Sequence, residues 1–261
     1  MTKKQSGLIC LLLGCTTFCM AGLKAEKIKG NGNVVTRTIQ VDDFQTVKLG
    51  EQINKQSIGG INWPGKKQKP VFNYTQSAGT ATLQITMDEN LFPYLEIEQK
   101  KGMLTIGARD NDFKVFPTRM DIHGSSSRLE KIQITGCMDF VSEPLLQTNS
   151  LTISISGVGD AKIDELVCGI LDCNLTGVGS LYLSGKADEA EFDVSGVSHV
   201  YAFDCVVKNL ECDLSGVGSM EVNATEHIKG NVSGVGNMKY KGEAQASTSC
   251  SGIGHIKHVE N

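Results

Sequence analysis

The C-terminal half of the chain contains six near-copies of one tetrapeptide, Ser/Thr-Gly-Val/Ile-Gly/Ser, at almost even spacing. A weaker copy, Thr135-Gly136-Cys137, lies 21 residues upstream of the first one. A period of about 20 residues is typical of a solenoid, in which each repeat forms one rung of a stack. The first glycines of the six copies are spaced by 20, 19, 20, 18 and 18 residues, and they are Gly157, Gly177, Gly196, Gly216, Gly234 and Gly252.

Apolar and polar residues alternate on both sides of each tetrapeptide. Before the first glycine, residues such as Ile153 and Ile155 alternate with Ser, Asn or Asp. After the tetrapeptide, Leu181 and Leu183 flank Tyr182 in the same way. Because a period of two indicates β-strands, each tetrapeptide is predicted to be a corner between two strands. Glycine suits a corner because it accepts positive φ and lets neighbouring backbones approach closely.

Other repeat folds fit this sequence less well. Glycines in the middle of each repeat would cost a helix about 1 kcal/mol each, and the leucine-rich repeat pattern is absent. The calcium-binding glycine-rich repeat has a regular Asp after its glycines, whereas here only Gly159 is followed by Asp, at Asp160. We therefore predict an all-β fold, a parallel β-helix or β-solenoid with about 18–21 residues per rung. Its coil is expected to be right-handed by default.

The N-terminus has the features of a secretory signal. Two lysines precede an apolar stretch at residues 8–20, which is too short and too interrupted for a comfortable membrane span. We predict that residues 1–25 are a signal peptide, with cleavage after Ala21 or Ala25. The alternative is processing at Cys15, which would make the protein an outer-membrane lipoprotein. Both routes predict an exported protein of the periplasm or cell surface, with no transmembrane span after processing.

The segment before the repeats lacks the tetrapeptide but also has the sequence pattern of β-strands. Residues 26–120 alternate in short apolar runs separated by turn signals. We predict that they form the N-terminal β-rich part of one continuous domain of residues 26–261, with the repeats in residues 121–261. The Ile58–Pro70 stretch is the most loop-like, and it contains Trp63 and a basic run. Trp63 is a candidate contact at a loop tip; the alternative is that it anchors the loop on the core.

Six cysteines follow the predicted signal peptide, and an even number in an exported protein favours disulfides. Cys173 and Cys212 share an inward position two rungs apart, about 9–10 Å, which is beyond disulfide reach. Cys168 and Cys205 fall on the return segments between rungs, so they are the pair to test first for a bridge. The alternative is that the cysteines are free thiols, which pack as small apolar residues.

Charge and motif spacing exclude several classes of function. The formal net charge is 25 − 29 = −4, and it becomes 22 − 29 = −7 if residues 1–25 are removed. No basic cluster favours binding to nucleic acid, to glycosaminoglycans or to anionic membranes. His199 and His255 share a repeat position but lie three rungs apart, about 14 Å, so no metal site is predicted. We expect no cofactor, and we assign no catalytic residue.

Three segments before the repeats combine with them in a characteristic order. They are Gly30-Asn31-Gly32-Asn33-Val34-Val35, then Phe44-Gln45-Thr46-Val47, then Leu95-Glu96-Ile97 followed by Gly102-Met103-Leu104-Thr105-Ile106. In this order the chain resembles the bacterial head GIN domain family, formerly a domain of unknown function and described as a putative auto-transporter adhesin. The resemblance covers roughly residues 28–259, and the chain departs from it at Ser198 and Cys137.

The resemblance implies a β-helical fold like that of pectin lyases. It also implies a location in the envelope of Gram-negative bacteria and a role in adhesion. The family supplies no established catalytic residue, so none is carried over to this sequence.

One column of outward residues is the candidate binding site. In a stacked solenoid, equivalent positions lie above one another, which places four polar side chains in a line: Asn174, Asp193, Asp213 and Asn231. We call them the Asn/Asp ladder. A rigid face carrying this ladder can bind an extended partner, a glycan or an envelope protein, by repeated weak contacts. The predicted function is therefore an exported, non-enzymatic envelope or surface protein that adheres to other surfaces.

Two alternatives to adhesion stay open. The ladder can serve only to stabilise the stack, in a structural or assembly protein of the envelope. The chain can also be a polysaccharide-active enzyme, because Asp193 and Asp213 would be about 5 Å apart, near the spacing of a retaining carboxylate pair. Against the enzyme, the same repeat position is Ser or Asn in other rungs.

The ends of a solenoid also matter for assembly. The last rung of a stack exposes strand edges that can pair with another chain. We therefore expect the C-terminal end to be covered by a partner or used in a homo-oligomer. The N-terminal half is expected to cap the other end.

Overall fold

The structure is a computed structural model that describes residues 26–51, 53, 69–109 and 113–260. The predicted signal peptide with Cys15, and the loop residue Trp63, lie outside the described residues. The predicted all-β fold is confirmed, because the strands build a β-solenoid of about 6 turns. In these described ranges, no helix is long and apolar enough to cross a membrane.

Nineteen strands and one short 3-10 helix, Glu89–Tyr94, make up the described part of the chain. The N-terminal strands are β1 (Glu26–Lys29), β2 (Val34–Gln40), β3 (Thr46–Glu51), β4 (Val71–Gln76), β5 (Thr82–Asp88), β6 (Leu95–Lys100), β7 (Met103–Ala108), β8 (Phe113–Phe116) and β9 (Met120–Ser126). The repeat strands are β10 (Lys131–Ile134), β11 (Asp139–Ser142), β12 (Leu146–Ile155), β13 (Ala161–Leu175), β14 (Val178–Val194), β15 (Val197–Leu214), β16 (Val217–Val232), β17 (Val235–Lys241), β18 (Gln245–Cys250) and β19 (Ile253–His258).

The repeat strands stack in parallel and in register. β14, β15 and β16 each begin at the valine of one tetrapeptide and end just before the serine of the next, so a single long strand covers most of a rung. Residues at the same repeat position are direct neighbours from β12 to β19. Small register shifts occur between Tyr182 and Ser184 and between Ala202 and Val206. These shifts absorb the unequal repeat lengths on the return side of each rung.

The inward positions stack into a single core. Ile155, Leu175, Val194 and Leu214 follow one another on successive rungs, and all four are buried. In the N-terminal rungs aromatic residues fill the same space, and the rings of Phe72 and Phe140 stack with centroids 6.0 Å apart. Each such side chain stabilises the fold by about 1.5–3 kcal/mol. Because each rung contacts only its neighbours, the core is a line of apolar layers.

The N-terminal half ends the parallel stack with antiparallel strands. In the large sheet β7 and β9 are the last parallel members at this end, and they pair with β3 and β4, while β1 pairs in parallel with β8 in a separate sheet. β6 then covers β7 and β5 covers β9, both antiparallel, and β2 pairs with β5. β2 and β6 are the outermost strands of the large sheet at this end, and within the described residues each pairs with one strand only, β5 and β7. The N-terminal half therefore lies at one end of the stack, and its role as a cap stays a prediction.

The C-terminal end is more open. β18 pairs with β16 and β19 pairs with β17. All side chains of β18 are exposed, and Ile253 in β19 is 75% exposed. Within the residues that the structure describes, no strand pairs with the outer edges of β18 and β19.

The corners show why the first glycine of each tetrapeptide has no side chain. A Cβ on Gly216 would lie 2.1 Å from the carbonyl oxygen of Gly196 on the previous rung. That same oxygen accepts a hydrogen bond of 2.9 Å from the backbone N–H of Val217. Close approach of the backbones is therefore the reason for glycine here. The second expected reason, positive φ, is wrong for these glycines, because the positive-φ glycines are Gly32, Gly50, Gly102, Gly185 and Gly242.

Cys168 and Cys205, the pair to test first for a bridge, do not form one, and the alternative of free thiols is confirmed. Cys168 stacks on Ala187, whereas Cys205 stacks on Gly185, one rung further along the same stack. The two cysteines are thus two rungs apart, about 9–10 Å, which is too far for a bridge. The free cysteines are Cys137, Cys168, Cys173, Cys205, Cys212 and Cys250, of which Cys250 is the exposed one.

The corner geometry generates a test by substitution. Gly216→Ala is expected to lower the free energy of unfolding by about 2–3 kcal/mol or more, because the new methyl group meets a backbone carbonyl that cannot move away. The matched control is Gly79→Ala, whose Cβ would lie 3.5 Å from the nearest atom, Ser77 Oγ. Urea unfolding followed by circular dichroism measures both variants. Equal stability of the two would contradict the close-approach explanation.

The thiol environments generate a second test. Burial raises the pKa of the Cys205 thiol to about 12 and raises the pKa of Cys173 and Cys212 as well, so these groups stay protonated at pH 8 in the folded protein. We expect maleimide to label Cys250 first and the buried thiols about a hundredfold more slowly, as followed by mass spectrometry. After denaturation without reductant, all six cysteines should react. A Cys168–Cys205 pair that stays unlabelled would show a disulfide.

Candidate functional site

The strand that precedes each corner carries outward side chains in four columns, which together form a surface that we call the polar face. Five rung spacings make it about 24 Å long, and six residues of strand make it about 20 Å wide. Starting at the corner, the columns are Ser156, Thr176, Ser195, Ser215, Ser233 and Ser251; then Ser154, Asn174, Asp193, Asp213, Asn231 and Ser249; then Thr152, Asp172, Glu191, Glu211, Lys229 and Ser247; then Ser150, Ile170, Glu189, Asn209, His227 and Gln245.

The Asn/Asp ladder lies on this face in the predicted order. Asn174, Asp193, Asp213 and Asn231 are direct neighbours on four successive rungs. Asn231 Nδ2 donates a hydrogen bond of 3.2 Å to Asp213 Oδ2, and Ser249 Oγ lies 2.9 Å from Asn231 Oδ1. The ladder therefore contributes hydrogen bonds between rungs at its C-terminal end. These contacts leave the exposed Asp193 carboxylate available to a partner, whereas Asp213 already accepts a hydrogen bond from Asn231.

Carboxylates are concentrated in the middle of the polar face. Asp193 stacks on Asp213, and Glu191 stacks on Glu211. Like charges that lie directly opposite on neighbouring strands destabilise a sheet. Lys229 offsets part of this repulsion, because it forms an ion pair with Glu211. The hydrogen bond to Glu211 accordingly raises the pKa of Lys229.

A groove of about 750 Å³ runs across the polar face, and we call it the acidic groove. It crosses five rungs and is bounded by the two columns farthest from the corner. Four carboxylates lie along it, and they belong to Asp172, Glu189, Glu191 and Glu211. The basic groups beside them are Lys229 and the imidazole of His227. The exposed side chain of Ile170 lines one end.

The corner itself presents a line of exposed apolar side chains. The valine of each tetrapeptide lies between residues whose backbones contact the neighbouring rungs, so its own side chain points outward. Five valines are 47–52% exposed, and the isoleucine of the last copy is 75% exposed. We call this line the corner ridge, and its members are Val158, Val178, Val197, Val217, Val235 and Ile253.

An aromatic cluster lies on the other side of the ridge. The rings of Tyr182 and Tyr201 stack on adjacent rungs with centroids 4.9 Å apart and 13° between their planes. Both tyrosines are exposed, at 40% and 37%. His199 lies beside Tyr201, and its Nδ1 is 2.9 Å from Ser219 Oγ. His255 lies in the same column as His199 but three rungs away, as the sequence spacing predicts.

The segment that contains Trp63 lies in the sequence between β3 and β4. β3 continues the strands of the polar face by pairing with β10, and β4 continues the strands beyond the ridge by pairing with β11. At the end of this segment, Lys69 Nζ pairs with Asp139 at 3.1 Å and with Asp160 at 2.8 Å. Burial by itself lowers the pKa of Lys69, but the two carboxylates outweigh it, so that its pKa is raised overall.

The geometry gives no support to a catalytic pair at Asp193 and Asp213. They are on adjacent rungs, as predicted, but Asp193 is exposed on the open face and Asp213 accepts a structural hydrogen bond from Asn231. General acid catalysis needs a carboxyl group in a sheltered site that raises its pKa. Among the described residues, no group of three or more His, Cys, Asp or Glu side chains could hold a metal ion.

The fold and its surfaces define a class of protein: a β-solenoid with repetitive polar columns and an apolar edge. The chain belongs to the head GIN domain family, described as putative auto-transporter adhesin, whose sequence profile matches residues 68–244. This confirms the resemblance drawn from the sequence motifs. No curated protein matches the sequence.

Solved structures of similar proteins support the same assignment. A putative adhesin from Bacteroides fragilis has a TM-score of 0.78 at 30% identity, covering 89% of this chain and 100% of its own. A putative lipid binding protein from Parabacteroides distasonis has a TM-score of 0.70 at 26% identity, covering 90% and 100%. A putative adhesin from Parabacteroides merdae has a TM-score of 0.65 at 26% identity, with the same coverage.

Proposed function

We propose that this chain is an exported, non-enzymatic binding module of the cell envelope that adheres through its polar face. The observation that carries the proposal is the continuity of that face over six rungs. A rigid array of like side chains suits an extended partner that makes many weak contacts, because each contact after the first is intramolecular. The putative-adhesin description of the family and of two of its solved relatives supports the same function.

Export and location belong to the same proposal. Residues 1–25 would direct the chain out of the cytoplasm, either as a cleaved signal or through lipid attachment at Cys15. Trp63, in the segment between β3 and β4, would add a further contact. The partner would be a glycan or a protein of the envelope or of a neighbouring surface.

The corner ridge favours a second candidate function, contact with an apolar surface such as lipid. Five valines in a straight line, each about half exposed, are unusual on the surface of a soluble fold. One similar structure is called a putative lipid binding protein, which supports this second candidate. The interior of the solenoid is filled by its own side chains, so any lipid would have to lie on the outside.

The open edges of β18 and β19 support a further element of the proposal, association of two copies through the C-terminal end. Unpaired strand edges are templates for pairing with another chain. In a homodimer the exposed residues of β18 would become protected. Sedimentation velocity that shows a monomer at all concentrations would exclude this association.

The adhesion proposal predicts the behaviour of a double substitution in the ladder. Asp193→Ala/Asp213→Ala is expected to weaken saturable binding of the purified chain to bacterial envelopes and arrayed glycans by about tenfold, because it removes two neighbouring acceptors from the centre of the face. The matched control is Glu96→Ala/Glu98→Ala on β6, where both glutamates are exposed. An equal loss in both variants would contradict a role of the ladder. Release of shorter sugars from the array would instead indicate an enzyme.

A further inference from the structure

The acidic groove carries more negative charge than the solenoid fold requires at outward positions. Outward positions in a solenoid need only be polar, and the first and last rungs of the same columns use Ser, Thr and Gln. In the middle, Asp172, Glu191 and Glu211 follow one another on three successive rungs. Stacked carboxylates repel one another, so this arrangement costs stability that uncharged side chains would not. Such a local cost is typical of a functional surface.

The protein itself balances only part of the charge in the groove, where Asn174 Nδ2 donates a hydrogen bond of 2.7 Å to Asp172 Oδ1. Lys229 pairs with Glu211 at the C-terminal side. Within the described residues, no lysine or arginine forms an ion pair with Glu189 or Glu191, and both are exposed. The groove therefore presents a row of carboxylates toward solvent, which attracts a cationic ligand.

The shape of the groove narrows the class of ligand. It spans five rungs, about 19 Å, which matches five or six residues of extended polypeptide. It also contains an apolar contact, since Ile170 is 53% exposed at one end. Lysine and arginine combine an apolar stem with a charged head, so one side chain can pack on Ile170 and still reach a carboxylate. A neutral sugar has no charge to meet these carboxylates.

We propose that the acidic groove binds an extended, lysine- or arginine-rich segment of a protein partner. The segment lies across the strands, parallel to the solenoid axis, and its cationic side chains pair with Glu189, Glu191 and Asp172. The inference rests on the proposed function, because it names one partner of the polar face. The two proposals can be tested separately, because the residues of the Asn/Asp ladder do not line the groove.

The test uses the full chain and a fluorescein-labelled hexapeptide of alternating lysine and serine, with a glutamate–serine peptide as the negative probe. Fluorescence anisotropy is expected to show saturable binding of the lysine peptide only. Glu189→Gln/Glu191→Gln should weaken it about tenfold, the loss expected for two charged contacts. The melting temperature of this variant should stay equal or rise, because the substitution removes the repulsion between Glu191 and Glu211.

The control is Glu96→Gln/Glu98→Gln, which removes the same charge from exposed positions on β6. Unchanged affinity in this control supports the groove, whereas an equal loss in both variants shows non-specific attraction and overturns the proposal. Absence of any binding of the lysine peptide also overturns it. If the peptide fails to bind while Asp193→Ala/Asp213→Ala still weakens envelope binding, the groove proposal falls and the adhesion proposal stands.

Discussion

The close approach of backbones at the corners is the contact on which the whole structure depends. At each corner the carbonyl oxygen of one glycine accepts the N–H of the next valine, and it occupies the space that a side chain on the next glycine would need. This contact fixes the distance and the register between rungs. Because the period-two pattern then repeats in register, every inward residue meets an inward residue and the core forms as a line of layers.

The same constraint produces the exposed surfaces. Stacking uses the backbone and the inward side chains, so the outward side chains are free to vary in charge and size. The chain uses that freedom unevenly: serines line the corner, carboxylates fill the centre of the polar face, and tyrosines stack beyond the ridge. The fourth position of the tetrapeptide shows the limit of this freedom. Ser198 replaces a glycine there only because its side chain turns inward, where Oγ donates to the Gly177 carbonyl oxygen.

The sequence predicted the rungs and the Asn/Asp ladder because both follow from spacing and alternation alone. It failed where the answer depends on distances between rungs. The bridge suggested between Cys168 and Cys205 ignored the rung count, because the tetrapeptides at Gly177 and Gly196 separate the two cysteines and place them two rungs apart. The sequence shows the valine of the corner ridge within the tetrapeptide, but only the structure shows that its side chain is exposed, as in Val197 at 52%. The acidic groove could not be predicted, because its concavity is a property of the folded surface of five rungs.

Carboxyl footprinting tests the central claim, that the polar face is the surface that meets the partner. The chain would be labelled with a carbodiimide and an amine, free and bound to isolated envelopes, and the modified residues identified by mass spectrometry. The account predicts protection of Asp193, Asp213 and Glu191, with unchanged labelling of Glu96 and Glu98 on β6. Protection confined to Glu96 and Glu98, or to the C-terminal edge around Glu243, would contradict it.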